Sequence, residues 1–327
     1  MSIGILGTGS YLPKQEVSNA EVAERVGVDP EWIERKTRIL NRRYAAPHEA
    51  TSDLAAAAAV AALEQSGVAA AELDFLIVST STPDSPQPPT SAVVQNLIGA
   101  RNAACFDLNV VCAGFVYALE IARGLLRGRP GGRVLVIGAD LYSRCLDFGD
   151  RRTAVLLGDG AGAVVLGETA EGGLLATDLA TRGEDQHLIR VEAGGTRLPA
   201  SAETVAGTGH FFKMEGRAVR DFVLAHVPPA ITALLARTGV RPSEVDHVVP
   251  HQPNGVLLAE LVEHAGLGHA VTHRTLERYG NVGSACVPVA LDAGYRAGAI
   301  RPGELVLFSA FGGGMSMGHS LIRWGLR

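Results

Sequence analysis

The residue whose type and setting best suit covalent chemistry is Cys112. An apolar run ends at this cysteine, and small residues then lead into a helical pattern from Phe115. The thiol is therefore expected on a strand-to-helix turn, at the positive end of a helix dipole. An ordinary cysteine has a pKa of about 8.5, and a helix N-terminus with a nearby imidazole brings it to about 7 or below. Cys112 is a candidate nucleophile; the alternative is a buried structural cysteine.

Three further turns offer groups that could act with this thiol. His251 follows a short apolar run, and Asn281 precedes a helical pattern, while residues 311–314 form a Phe-Gly-Gly-Gly turn that could supply a backbone N–H to an oxyanion. The order Cys, His, Asn is also that of a cysteine protease. The papain-type sequence around the cysteine is missing, however, which argues against that class.

The elements that must position these turns alternate along the chain. The pattern predicts an α/β fold with buried sheets. Buried strands are predicted at 75–78, 134–137, 163–166, 248–249 and 305–308, and helices at 52–66, 113–127 and 218–238. Residues 51–53 are expected to cap the first of these helices, and Gly67 and Gly239 to end the first and the last.

The chain also repeats itself. Residues 67–74 recur in pattern as residues 239–246, and the same offset places Cys112 over Ser284. Two similar halves are predicted, residues 1–170 and 171–327, with residues 183–213 as an inserted excursion. The Cys112 and Asn281 turns should then lie close together across a pseudo-twofold axis, and with His251 they are expected to share one pocket.

Composition excludes several classes of function. The 327 residues carry a net charge of −5, so there is no basic field for nucleic acid. Four cysteines without C-x-x-C spacing argue against a zinc ribbon or disulfide framework and favour a cytoplasmic location. The apolar runs between Asp53 and Glu64 and between Asp107 and Glu120 are too short to span a bilayer. We therefore expect neither a metal nor a membrane anchor.

Together the motifs resemble the β-ketoacyl-ACP synthase III family of the thiolase superfamily. The resemblance runs the whole length of the chain and implies the five-layered αβαβα thiolase fold and a homodimer. It depends on residues 112–115 (Cys-Ala-Gly-Phe), 158–162 (Gly-Asp-Gly-Ala-Gly), 251–254 (His-Gln-Pro-Asn), 280–281 (Gly-Asn) and 311–314.

The resemblance also implies roles for individual residues. Cys112 would accept the acyl group, and His251 and Asn281 would hold the thioester carbonyl of a malonyl extender. The backbone N–H groups of Cys112 and Gly313 would form the oxyanion hole. Substrate and coenzyme A contacts would come from Trp32, Lys36, Arg151, Gly216, Arg217 and Asn254, and Gln87 would lie near the primer pocket, where a partner-subunit aromatic often sits.

The implied activity is a decarboxylative condensation. An acyl group from acyl-CoA is loaded on Cys112 and condensed with malonyl-CoA or a malonyl carrier protein, giving a β-ketoacyl product in fatty-acid-like or specialised polyketide biosynthesis. No cofactor is expected beyond these substrates. Two alternatives are an acyltransferase that moves the acyl group to an alcohol or amine without decarboxylation, and a catalytically silent partner subunit, against which the presence of Cys112 argues.

Departures from the family pattern bear on the extender and the pathway. Lys36 and Arg38 replace an arginine and a glycine near the nucleotide contact. The helix after Asn254 carries Glu260 and Glu263 where the family usually has basic residues, so contact with an acidic carrier protein is expected to be weak unless Arg217 and Arg220 compensate. With the polar Gln87 at the primer pocket, these changes favour a specialised pathway over a housekeeping acetyl-primed starter enzyme.

Overall fold

Ten helices and fourteen strands are defined within residues 2–326, which the computed structural model describes. The strands are β1 (Ser2–Tyr11), β2 (Gln15–Ser18), β3 (Asn41–Tyr44), β4 (Phe75–Ser79), β5 (Ala104–Leu108), β6 (Val134–Leu141), β7 (Asp159–Thr169), β8 (Gly173–Thr181), β9 (Ile189–Arg190), β10 (Lys213–Met214), β11 (His247–Pro250), β12 (Val271–Thr272), β13 (Leu305–Gly312) and β14 (Ser316–Arg323). The helices are α1 (Asn19–Val26), α2 (Pro30–Thr37), α3 (Thr51–Ser66), α4 (Thr90–Leu97), α5 (Gly114–Leu126), α6 (Ala202–Ala206), α7 (Gly216–Thr238), α8 (Gly255–His264), α9 (Leu276–Tyr279) and α10 (Cys286–Arg296).

Two five-stranded mixed sheets share one topology. The first has the order β1-β7-β6-β4-β5 and the second, read from the corresponding edge, β8-β14-β13-β11-β12. In each sheet the first three strands pair antiparallel and the last three pair parallel. The duplication predicted from the sequence repeat is therefore confirmed at the level of strand order.

The sheets and helices stack in five layers, as expected for the thiolase fold. Helix α3 packs its alanine-rich face on the outer side of the first sheet, and α7 and α8 cover the outer side of the second. Helices α5 and α10 lie between the sheets, where their side chains join residues of β6 and β13 in one apolar cluster. This central layer begins at the Cys112 turn on one helix and at the Asn281 turn on the other.

Helix boundaries follow the sequence prediction closely, with one correction. Gly67 and Gly239 end α3 and α7 in the left-handed conformation, with φ of 69° at both. The expected cap of α3 by residues 51–53 is wrong, because Ala50 is the N-cap and helix already begins at Thr51. Asp53 instead accepts the Ala50 backbone N–H at 2.8 Å from inside the first turn.

Helix α7 is a membrane candidate that the sequence analysis did not weigh. Among the residues described it is the one helix long and apolar enough to cross a bilayer. Its apolar face, which includes Phe222 and Leu234, packs on the second sheet in the apolar cluster that also holds α8. A buried helix of a soluble core meets the same criterion of length and composition, and this packing accounts for its apolar character.

Candidate active site

Cys112 lies between the end of β5 in the first sheet and the start of α5 in the central layer. A 3-10 turn, Val111–Ala113, precedes α5, so the thiol is at the helix start that the sequence predicted. Val111 has a φ of 46°, a left-handed value that a β-branched residue adopts only under strain. The surrounding structure must therefore hold this turn, and the buried Cys112 side chain, in place.

The end of β13 packs directly against the nucleophile. A Cβ added to Gly312 would lie 2.7 Å from the Cys112 backbone nitrogen, so only glycine allows this approach. The next residue, Gly313, lies beside Val111, whose Cγ2 would be 3.1 Å from an added Cβ. The two residues of the predicted oxyanion hole, Cys112 and Gly313, are thus brought together, while the direction of their N–H groups stays a prediction.

Asn281 is oriented by two donors to its side-chain oxygen. Its Oδ1 accepts the Gly283 backbone N–H at 2.9 Å and the Cys286 thiol at 3.5 Å. Burial raises the pKa of Cys286 to about 12, so this thiol stays protonated and able to donate. With Oδ1 engaged, the amide nitrogen is left to donate into the cavity that Asn281 lines. The sequence analysis did not single out Cys286, so this positioning contact was missed.

His251 is held as a neutral imidazole. It follows β11, its backbone N–H donates to the Ser309 carbonyl at 2.7 Å, and its ring meets the edge of Phe311 with centroids 5.3 Å apart. Burial lowers its pKa to about 3. The buried Nδ1 has no hydrogen-bond partner. A buried nitrogen lone pair without a donor costs less free energy than a buried N–H without an acceptor. The unpartnered Nδ1 of His251 is therefore the unprotonated nitrogen, and the proton is on Nε2.

The cavity beside Asn281 has a volume of about 350 Å³ and brings most of the predicted substrate contacts together. At one end the Arg151 guanidinium lies 5.6 Å from the centre of the Trp32 ring, with Lys36 and Gly216 also in the wall. This arrangement joins an aromatic face and positive charge, which suits a nucleotide with phosphates. The remaining wall is largely apolar.

Three residues predicted to contact substrate are placed differently from the others. Asn254 lines the cavity, but its polar atoms cap α8 through the Val256 N–H at 2.8 Å and hold the Lys36 carbonyl at 2.9 Å. Arg217 is exposed and is not in the cavity wall. Gln87 is exposed on the loop before α4, so its part in a primer pocket stays a prediction.

A second cavity, of about 250 Å³, reaches the turn that carries the nucleophile. It is lined by Val111, the residue before Cys112, and by Tyr142, Cys145 and Phe212. Phe212 also borders the first cavity and packs edge-on against Tyr142, with centroids 5.6 Å apart. It comes from the excursion predicted at 183–213, which includes β9 and α6. The two cavities thus share Phe212 in their walls, and the second one reaches the residue before Cys112.

The resting state of Cys112 differs from the expected thiolate. Burial raises its pKa well above the usual value, and the nearby Cys286 and Asp140 add to the rise. Hydrogen bonds from the backbone and from Tyr142 oppose it only in part. Because its pKa is raised, the thiol is protonated at rest and must lose its proton when it attacks. The sequence predicted the helix start but not the depth of burial, which is why the expected thiolate was wrong.

A buried carboxylate beneath the site was also missed. Asp140 accepts the Ser284 backbone N–H at 2.7 Å and the Ser81 N–H at 2.8 Å, which ties the Asn281 turn to the loop after β4. Burial raises its pKa to about 6. The available signal was a charged residue inside the otherwise apolar strand β6, since buried carboxylates are rare unless they are hydrogen-bonded.

Comparison with known proteins agrees with this geometry. Residues 106–183 match the family described as 3-Oxoacyl-[acyl-carrier-protein (ACP)] synthase III, and residues 235–324 match its C-terminal part. An acetoacetyl CoA synthase of Streptomyces sp. (strain CL190) is 51% identical over 323 residues, which is 98% of each chain. A β-ketoacyl-ACP synthase III of Clostridioides difficile (strain 630) is 40% identical over 99% of this chain and 98% of its own.

Solved structures extend the likeness to the fold. The 3-oxoacyl-ACP synthase III of Aquifex aeolicus VF5 has a TM-score of 0.91 at 33% identity, covering 99% of this chain and 100% of that chain. A priming β-ketosynthase from a polyketide biosynthetic pathway has a TM-score of 0.92 at 35% identity, over 99% and 96%. The fold and site define a thiolase-fold condensing enzyme. The chain belongs to the 3-oxoacyl-ACP synthase III family, and its chemistry is decarboxylative condensation of acyl thioesters.

Proposed function

We propose that this enzyme condenses an acyl-CoA with malonyl-CoA, so that both substrates and the product are coenzyme A thioesters. With acetyl-CoA as primer the product is acetoacetyl-CoA, the compound named in the 51% identical relative. The choice of malonyl-CoA as extender depends on the charges of the surface beside the cavity mouth. Arg220, which lines this cavity, is paired with Glu260 of α8 at 2.8 Å and lies 3.5 Å from Asp221. The positive charge of Arg220, which could have met an acidic carrier protein, is thereby neutralised.

The first half-reaction loads the enzyme. Cys112 Sγ attacks the primer thioester carbonyl, the oxyanion is held by the N–H groups of Cys112 and Gly313, and the C–S bond to coenzyme A breaks. Trp32, Lys36 and Arg151 hold the nucleotide end, while Gly216 and Asn254 form part of the channel wall. The exposed Arg217, on the first turn of α7, is proposed to contact phosphate from outside the cavity.

In the second half-reaction malonyl-CoA occupies the same channel. Its carboxylate leaves as carbon dioxide, and the electron pair moves onto the thioester oxygen as an enolate. His251 Nε2–H and the Asn281 amide donate to that oxygen, so neither needs a fixed charge in a buried site. The enolate carbon then attacks the acyl carbonyl on Cys112, which leaves as a thiolate and returns to the thiol.

We also propose a homodimer in the cytoplasm. Strand β5 is an edge strand of the first sheet, and an edge presents unpaired backbone groups to a second copy. Leu97 of the adjacent α4 is 52% exposed, which adds apolar surface near that edge. A partner chain there is expected to bring its own loop 81–89, with Gln87, towards the primer pocket.

The acyl adduct provides the first test. Incubation with acetyl-CoA should raise the intact mass by one acetyl group, and peptide mapping should place it on Cys112. Cys112→Ala should lose the adduct, whereas Cys105→Ala, which alters a cysteine on the edge strand, should keep it. An adduct on another cysteine, or transfer to an added alcohol without carbon dioxide release from malonyl-CoA, would contradict the proposal.

The extender choice is tested by comparing two malonyl donors. We expect kcat/KM for malonyl-CoA to equal or exceed that for malonyl carrier protein. Glu260→Gln removes the charge of the closer of the two acidic partners of Arg220 and should raise activity with the carrier protein by up to about 10-fold, because a rim charge mainly changes the association rate. The gain should shrink as salt rises. Glu64→Gln, an exposed glutamate on α3, is the matched control. A strong preference of the unmodified enzyme for an acidic carrier would overturn this.

A further inference from the structure

His251 and Asn281 must place two donors on one oxygen, although different elements carry them. His251 follows β11, whereas Asn281 comes just after α9. Both donors act on the extender oxygen in the proposed function, so the distance between them decides how well the enolate is stabilised. The residue next to His251, Gln252, takes no part in the proposed chemistry, yet its polar side chain is buried, with 1% of its surface exposed.

The Gln252 amide holds the segment that leads into α9. Its Oε1 accepts the backbone N–H groups of Thr275 at 2.8 Å and Leu276 at 2.9 Å. Its Nε2 donates to the His273 carbonyl at 3.1 Å. Two donors on the oxygen and an acceptor beside the nitrogen fix which way the amide points. All three hydrogen bonds are buried, so breaking them would leave polar groups without partners, at a cost in free energy.

Helix α9 has no side-chain cap of its own. Thr275 is its N-cap residue, but the Thr275 side chain makes no hydrogen bond to the first turn. The first N–H groups of a helix have no acceptor within the helix, and Gln252 supplies one from a distant part of the chain. The start of α9 is therefore tied to the end of β11, where the Ser309 carbonyl holds the His251 N–H.

The other end of α9 leads directly to Asn281. The helix is a single turn of four residues, and the Gly280 N–H closes it on the Leu276 carbonyl at 2.9 Å. Asn281 is the next residue after Gly280. One hydrogen-bonded turn therefore separates the Gln252 contact from Asn281, so a shift at the start of α9 is passed on to the catalytic amide.

We propose that Gln252 is a positioning residue for decarboxylation, a role that rests on the proposed function of His251 and Asn281. It fixes the separation of the imidazole and the amide, because it ties the residue after the first to the helix before the second. Cys112 lies just before α5, on another element, and the three Gln252 hydrogen bonds all end on residues 273–276. Loss of the Gln252 amide should therefore impair stabilisation of the enolate and spare acyl loading.

Gln252→Met keeps a side chain of similar length and volume and removes all three hydrogen bonds. We expect carbon dioxide release from malonyl-CoA to fall about 10- to 100-fold, because a misplacement of about 1 Å costs up to about 100-fold. The loss should be smaller than for Asn281→Ala, since the Leu156 carbonyl still holds the Asn281 N–H at 2.9 Å. Acyl loading from acetyl-CoA, measured by rapid-quench mass spectrometry, should stay within a few-fold of normal.

A second variant keeps the test open if Gln252→Met does not fold. Gln252→Glu retains an oxygen for the Thr275 and Leu276 N–H groups but places its second oxygen against the His273 carbonyl. The donated hydrogen bond is lost and two acceptors face each other, so the start of α9 must shift. We expect the same split, with slower carbon dioxide release and normal loading.

Gln65 provides the matched control, because its side chain also ties separate elements together. Its Oε1 accepts the Thr8 N–H at 3.0 Å, and its Nε2 donates to the Tyr295 hydroxyl at 3.1 Å, near the C-terminal ends of α3 and α10. Gln65→Met should lower the thermal unfolding temperature and leave both half-reactions unchanged. Unchanged carbon dioxide release in the Gln252 variants, or equal losses in the two half-reactions, would overturn the positioning role. Absence of an adduct or of carbon dioxide release in the unmodified enzyme would instead contradict the proposed function, so the two failures are distinguishable.

Discussion

Asn281→Ala is expected to release carbon dioxide from malonyl-CoA about 100- to 1000-fold more slowly than the unmodified enzyme, the usual cost of losing one oxyanion donor. Acyl loading of Cys112 should stay within a few-fold of normal. The physical reason is that the amide donates to the extender oxygen, which carries charge only in the second half-reaction. The Gly283 N–H and the Cys286 thiol already hold the amide oxygen, so the donor is preorganised and its loss is not offset by water.

The measurement is two half-reactions on each variant: the rate of adduct formation and the release of labelled carbon dioxide. His251→Ala should show the same split. Because the pKa of His251 is about 3, carbon dioxide release should not lose activity between about pH 8 and 5 through protonation of this imidazole. Asn102→Ala, on an exposed loop, is the matched control. Equal losses in both half-reactions would mean that the pair serves Cys112 alone.

Gly312→Ala should reduce acyl loading by about 100-fold or more. The added Cβ would come within 2.7 Å of the Cys112 backbone nitrogen and 3.0 Å of its Cβ, so the turn must move. Displacement of a nucleophile by about 1 Å costs roughly this factor, because the attack geometry is lost. Decarboxylation that does not depend on an acyl-enzyme should be affected less, since Asn281 and His251 lie on other elements.

Helix α5 offers a matched control for this substitution. Gly124 lies inside the helix with open space around an added Cβ, so Gly124→Ala should leave loading unchanged and raise stability by up to about 1 kcal/mol. Loading rates from mass spectrometry and thermal unfolding of both variants decide the question. Normal loading by Gly312→Ala would show that the turn around Cys112 tolerates more movement than its packing indicates.

Much of the scaffold was predictable because it depends on local periodicity. Local apolar runs and glycine positions predict strand β4 and the C-terminal ends of α3 and α7. The repeat along the chain predicts the doubled topology. The convergence of Cys112 and Asn281 followed from the repeat, because equivalent elements in a duplicated fold meet at the axis.

The missed features depend on contacts between distant segments. The raised pKa of Cys112 arises first from burial in the folded chain, and the nearby Cys286 and Asp140 add to the rise. The positioning role of Cys286 and the double use of the Asn254 amide are likewise set by which atoms meet after folding. Contacts of this kind leave no periodic pattern in the sequence. The one available signal is a residue of unusual type for its position, such as the charged Asp140 in a buried strand.

The duplicated topology limits how far the loss of one hydrogen-bond donor can weaken the stabilisation of an anion at the site. The 3-10 turns before α5 and α10 contact each other, so the N-terminal ends of both helices face the same point. Each helix start contributes about half a positive elementary charge from its backbone dipoles. That potential stabilises any anion formed between the two turns, and it persists in every side-chain variant that leaves the two helices folded. When one donor is lost, the residual activity is therefore expected to stay at or above the level that these backbone dipoles support.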